Sequence, residues 1–297
     1  MKHLLFVFFA ITLHAAPRAL DVVIVEGAAG TEEYGKKFAA QVEAWKAACK
    51  KGDVPLEVIT GAETTAKLEK RLAAAKPERS LWLVLIGHGT FDGREAKFSA
   101  EGPDFEAKQL SGWLKPLKQE VVVIHTASAS GGFIKGLSEK GRVVITATKS
   151  PDEVFYARFG EYFAEAIGGL EDADLNQDKQ VSLLEAFKHA SKTAAMFYEN
   201  EGRLATEHAL IEDNGDGVGT RSEVTDGAAD GSRAAQLVLV LSDEEQKLTD
   251  AQRSRRDALE LELQTLKDER AKLGEDAYYS KLETLMRKMG EVYEMKP

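Results

Sequence analysis

Only one cysteine, Cys49, stands among the 297 residues. No intramolecular disulfide can form, so the fold has to rest on its own hydrophobic core. Cys49 lies in the helical stretch WKAACKKGD and reads as a small packed residue rather than a nucleophile. Excess positive charge is missing too. The formal net charge is -10, which argues against nucleic-acid binding through the phosphate backbone. Beyond the N-terminus no run is long and apolar enough to cross a bilayer. The glycine-bearing loop 27–35, GAAGTEEYG, has neither GxGxxG nor a GK[ST] ending, so it lacks a phosphate cradle. The GxSxG nucleophile elbow is absent as well.

The first sixteen residues have the layout of a signal peptide. Lys2 and His3 precede an apolar run over 4–13, and small residues follow at Ala15 and Ala16. The expectation is a cleaved segment 1–16 and a mature chain exported from the cytoplasm.

Residues 17–235 read as one α/β domain. Short, largely apolar runs at 20–26, 56–60, 81–86, 121–126 and 142–148 have the composition of strands buried on both faces of a parallel sheet. Helical stretches at 36–50, 63–75, 106–115 and 133–137 alternate with them, and 155–167 and 181–199 follow. A polar, turn-rich stretch at 90–105 suggests a small hairpin over the sheet edge. The alternation predicts a three-layer α/β/α sandwich around a mostly parallel sheet of about six strands.

Two acidic loops have the spacing of calcium sites. In 174–185, Asp174, Asn176, Asp178, Ser182 and Glu185 supply side-chain oxygens at loop positions 1, 3, 5, 9 and 12, with the Gln180 carbonyl at position 7. Lys179 stands where the loop turn favours glycine. A structural calcium ion is one reading, and an acidic turn with Ser182 capping the next helix is the other. The loop 212–223 repeats the pattern with Gly217 at the turn, but no strong helix follows it.

Residues 236–297 form a separate segment. A short apolar strand or docking segment at 237–241 precedes Ser242 and Glu245, a capping-box pair. Leu259, Leu266 and Leu273 then recur at heptad spacing, Gly274 interrupts, and Leu282, Leu285, Met289 and Val292 continue. This predicts an antiparallel helical hairpin of coiled-coil type, with 243–295 available for self-association or a protein partner.

The chemistry gathers where two apolar runs break into small residues. LWLVLIGHG delivers His88 between two glycines, and VVVIHTASASGGF delivers Ser128 and Ser130 ahead of Gly131 and Gly132. The carboxyl edge of an open α/β sheet is where ligands bind. A histidine and a hydroxyl on neighbouring strand ends are the parts of a nucleophile-plus-base hydrolase, and the Gly89 amide is a candidate oxyanion donor. His125, three residues before Ser128, points toward the other face and reads as a buried or edge residue rather than the base.

These elements, in this order, resemble the caspase-like peptidase fold, and within it the legumain-type cysteine peptidases. There an apolar strand ends in His-Gly and the next ends in Ala-Cys-x-Ser-Gly. The resemblance implies His88 as catalytic histidine, Gly89 as oxyanion amide and Ser128, within ASASG at 127–131, at the nucleophile position. It also implies that TATKSPDE at 146–153, with Thr148, Ser150 and Glu153, lines the first specificity pocket. It spans roughly 20–169 and suggests an exported bacterial member, in the periplasm or secreted. Serine stands where the family has its cysteine, so the thiolate chemistry is absent. Two readings follow: an inactive or very slow homologue that binds a peptide or protein, or an endopeptidase using Ser128 as nucleophile and His88 as general base and acid.

Overall fold

A computed structural model describes residues 19–224 and 230–294. The expected signal segment 1–16 lies outside them. Six strands form the main sheet, in the spatial order 56–59, 20–26, 80–86, 121–125, 142–146 and 210–212. They are β1 (Leu20–Glu26), β2 (Leu56–Ile59), β3 (Ser80–Ile86), β7 (Val121–His125), β8 (Arg142–Thr146) and β9 (Leu210–Glu212). All neighbours run parallel except β9, which is antiparallel to β8. The sixth strand is β9, and of the two readings of 237–241, strand or docking segment, the second holds. That run docks on the domain, with Val238 bridged to Ser182 and Leu239 buried in the core.

Both faces are covered, so each strand has to be apolar on both sides. On one face α1 (Glu32–Lys51), α5 (Phe159–Ala166) and α6 (Leu183–Asn200) bury Trp45, Phe163 and Phe187 against Val22, Ile24, Trp82 and Ile124. On the other, α2 (Thr64–Ala73), α3 (Ala107–Leu114) and α4 (Ile134–Leu137) pack Leu68, Leu110 and Leu137 on Val23, Leu83 and Val123. The expected hairpin is a three-stranded antiparallel sheet of β4 (Gly89–Phe91), β5 (Ala96–Phe98) and β6 (Phe105–Glu106), beginning one residue after His88. Cys49 is buried, and burial pushes its thiol up to about 12, consistent with a packed residue.

The C-terminal segment is a helical hairpin with its own small core. Helices α7 (Asp250–Asp268) and α8 (Glu275–Glu294) enclose Leu259, Leu266, Tyr278, Leu285 and Val292. Its first helix starts at Asp250, capped by a Thr249–Gln252 box, rather than after Ser242. The Ser242 hydroxyl accepts from the Glu245 amide, at 3.4 Å, ahead of a short 3-10 turn. No described helix is long and apolar enough to cross a membrane.

Candidate active site

Strand order explains where the loops meet. The chain leaves β1 toward β2 on one side and β3 toward β7 on the other, so the crevice between β1 and β3 is a topological switch point. The loop after β1 forms one wall and His88, after β3, the other. An open cleft of 780 Å³ adjoins it, lined by residues 28–32, 62–63 and 100–102.

His88 Nε2 lies 3.2 Å from the Ala29 carbonyl oxygen. A carbonyl only accepts, so Nε2 carries the proton and Nδ1 keeps its lone pair. Tyr34, Phe38 and Tyr156 enclose the ring edge-on, with centroids at 4.6, 5.0 and 6.4 Å. The Lys37 ammonium sits over the Tyr34 and Tyr156 rings, 5.4 and 4.9 Å from their centroids. Burial pulls His88 below the ordinary imidazole value, opposed by the Ala29 bond. That direction favours the neutral ring.

Ser128 is buried, and its hydroxyl is fully engaged. Oγ donates to the Gly89 carbonyl at 3.0 Å and accepts from the Gly89 amide at 3.1 Å. The local sheet explains this. Ser99 N donates to His88 O, which makes the next pair, Gly89 with Phe98, a non-hydrogen-bonded one. The main-chain groups of Gly89 thus point away from β5, toward Ser128. A Cβ on Gly89 would collide with the Ser128 carbonyl, so only glycine allows this approach.

The turn after Ser128 is pressed onto the loop after β8. Ala129 is buried and left-handed, at φ 56° and ψ 7°, and its amide donates to the Glu153 carbonyl at 2.8 Å. Thr148, fully buried, accepts from the Gly131 amide at 2.8 Å and donates to the Ser150 carbonyl at 3.2 Å. Ser130 Oγ accepts from the Thr148 amide at 3.2 Å. The Glu153 carboxylate accepts from the amides of Lys149 and His208, both at 3.0 Å, and from His208 Nδ1 at 2.5 Å. The structure therefore places Thr148 and Glu153 in bonds that hold the turn. Val154 and Phe155 next along this loop are exposed, and Tyr156 reaches back to His88.

Beneath the site, His125 is fully buried between Phe98 and Phe133. Neither ring nitrogen has a hydrogen-bond partner among the described residues, and burial pulls its value down to about 3. It is a neutral core residue.

In the 174–185 loop the oxygens face the loop's own main chain. Asp174 accepts from the amides of Asp178 and Lys179 at 3.2 and 2.8 Å, and Asp178 from that of Gln180 at 2.8 Å. Gln180 Oε1 accepts from the Ser242 amide at 3.2 Å. Asn176 accepts from the Asp178 amide at 2.9 Å. Ser182 caps α6 in a reciprocal box with Glu185, so the capping role read from the sequence is present. Among the described residues no three acidic, imidazole or thiol side chains are grouped to hold a metal ion. Lys179 takes the left-handed conformation, φ 66°, that the loop spacing demands there.

Three parts of the site escaped the sequence: the Ala29 carbonyl, the cage of Tyr34, Phe38 and Tyr156, and His208. A main-chain carbonyl has no sequence signature, and His208 lies 55 residues from Glu153. Only the antiparallel return of β9 beside β8 brings that pair together.

Among solved structures the fold is similar to caspase-1 from Spodoptera frugiperda, at 8% identity and a TM-score of 0.44, over 66% of this chain and 87% of that one. It is also similar to protein GSU0716 from Geobacter sulfurreducens, at 12% identity and a TM-score of 0.47, over 75% of this chain and 100% of that one. No curated protein matches the sequence. The pattern of the Peptidase C13 family matches residues 43–211, more than half of the chain, taking in His88, Ser128 and the loop that holds them. The chain belongs to the peptidase C13 family.

Proposed function

We propose that this chain is a peptide-binding homologue of the C13 peptidases that hydrolyses its ligand very slowly or not at all. The observation that carries this reading is the pair of hydrogen bonds between the Ser128 hydroxyl and the main chain of Gly89. For Ser128 to attack, its proton must leave the Gly89 carbonyl for His88, and the Gly89 amide must exchange the serine oxygen for the oxyanion. A serine hydroxyl, barely ionised at neutral pH, starts from a poorer nucleophile than the family's thiolate. The cleft beside His88 and the exposed Val154 and Phe155 support an extended peptide as ligand. Export, supported by the pattern of residues 1–16, puts the work in a bacterial periplasm or outside the cell. The helical hairpin, with Tyr279 and Met286 exposed on α8, is assigned to a protein partner.

A second reading, an endopeptidase, is favoured by the Ala29 carbonyl. It fixes the His88 tautomer as the third member of a triad does. Ser128 would attack the peptide carbonyl, His88 Nδ1 would take its proton and return it to the leaving amine, and water would release the acyl-enzyme. The test is a peptide library offered to the wild-type chain and to Ser128→Ala. Peptides retained by both and recovered uncut support the binding reading. Cleavage by wild type that vanishes in Ser128→Ala establishes the endopeptidase, and neither retention nor cleavage by either protein overturns both.

A further inference from the structure

We propose that Glu153 and His208 are a positioning pair for Ser128; the inference rests on the peptide-site reading and names the residues that fix the direction of its hydroxyl. The argument begins at Ala129. A residue with a Cβ is disfavoured in the left-handed region and persists there only where its surroundings hold it. Here the hold is the bond from the Ala129 amide to the Glu153 carbonyl, 2.8 Å long. That carbonyl is itself fixed because the Glu153 side chain is anchored at the same place.

The anchor is His208. Its amide and its Nδ1 both donate to the Glu153 carboxylate, at 3.0 and 2.5 Å, and the Lys149 amide adds a third bond at 3.0 Å. His208 is rigid in turn, because it enters β9, where Leu210 pairs with Thr146 of β8. Force therefore runs from the sheet through His208 and Glu153 to Ala129, one residue from Ser128. Nδ1–H donates whether or not Nε2 is protonated, so the pair needs no change of charge to act. The charged groups around it are Lys149, whose Nζ lies 3.6 Å from Glu153 Oε1, and Glu199, Glu207, Arg221 and Glu223, which line a cavity with His208.

Without the pair the 150–153 segment loses its tie, Ala129 relaxes toward negative φ, and the Ser128 hydroxyl leaves Gly89. The readout is hydrogen exchange at the Gly89 amide in the wild-type serine background, measured by NMR beside amides of β3 and β7. In His208→Ala the Gly89 amide is expected to exchange at least about tenfold faster while Leu85 and Val123 are unchanged, a localised loss in the sense of sub-global opening. His208→Asn, which keeps a side-chain N–H near the Nδ1 position, is expected to return the rate to within about twofold of wild type. Glu153→Gln, which replaces one acceptor oxygen by a donor, gives the same test should His208→Ala not fold. Gly89 exchange unchanged in a folded variant, or raised equally across the sheet, overturns the proposal. No peptide enters this assay, so the pair can fail while peptide binding stands, and the reverse.

Discussion

Replacing Ser128 by alanine should destabilise the domain although it removes only one small group. The hydroxyl is the partner of both main-chain groups of Gly89, which is buried. Their alternatives are closed, because Gly89 faces Phe98 as a non-hydrogen-bonded pair and its own N–H and C=O point away from β5. A buried polar group that loses its partner costs about 1–3 kcal/mol, and the two groups here share one oxygen, so that range holds for the pair. For a domain of roughly 200 residues this corresponds to a melting temperature lower by about 2–12 °C. Thermal melts followed by circular dichroism read it, with Ser280→Ala on the exposed face of α8 as the control. A melting temperature for Ser128→Ala within about 1 °C of wild type would refute the clasp.

Other consequences follow from the same geometry. His125 is held neutral in the fold and titrates normally when unfolded, so its folded value is depressed, to about 3. Stability is then full above the unfolded value near 6.5 and falls as the pH drops toward 3, by about 2 kcal/mol between pH 7 and pH 5; denaturant melts of His125→Leu should lose that part of the acid dependence. Tyr156→Ala opens the cage around His88 and should move the histidine's NMR titration upward toward 6.5; an unmoved midpoint would show that burial by Tyr156 is not what depresses it. Glu185→Gln weakens a carboxylate that accepts from Leu175, Asn176 and Ser182, and should cost about 1–3 kcal/mol in calcium-free buffer. Equal melting of both proteins there, with a difference appearing only when calcium is added, would show instead that a cation orders the loop.

What was legible in the sequence was whatever strand or loop chemistry could be seen locally. The parallel strands announced themselves because burial on both faces demands uninterrupted apolar residues, as in Leu81–Ile86 and Val121–Ile124. His88 and Ser128 stood out because each ends such a run among small residues. The capping box of Ser182 and Glu185 was equally local. Strand β9 was hidden, since three residues ending in Glu212 carry no pattern and its place is set by β8. Helix α5 begins at Phe159 rather than 155 because Glu207, 48 residues away, accepts from the Phe159 amide at 2.9 Å, and from that of Arg158 at 2.8 Å. That shorter helix leaves Tyr156 in a loop, free to reach His88. Contacts of this kind, made by distant partners or by main-chain groups, leave no local mark.

The central claim, a C13 peptidase scaffold whose serine limits its chemistry, is met most directly by one comparison. A single internally quenched peptide that the protein binds is incubated with wild type and with Ser128→Cys, and turnover is followed under one set of conditions. A thiol is a weaker partner for Gly89 and a far better nucleophile beside a neutral imidazole. The account predicts cleavage by the cysteine variant at least about tenfold faster than by wild type. Turnover by wild type equal to or faster than the variant's would contradict it and establish Ser128 as a competent nucleophile as it stands.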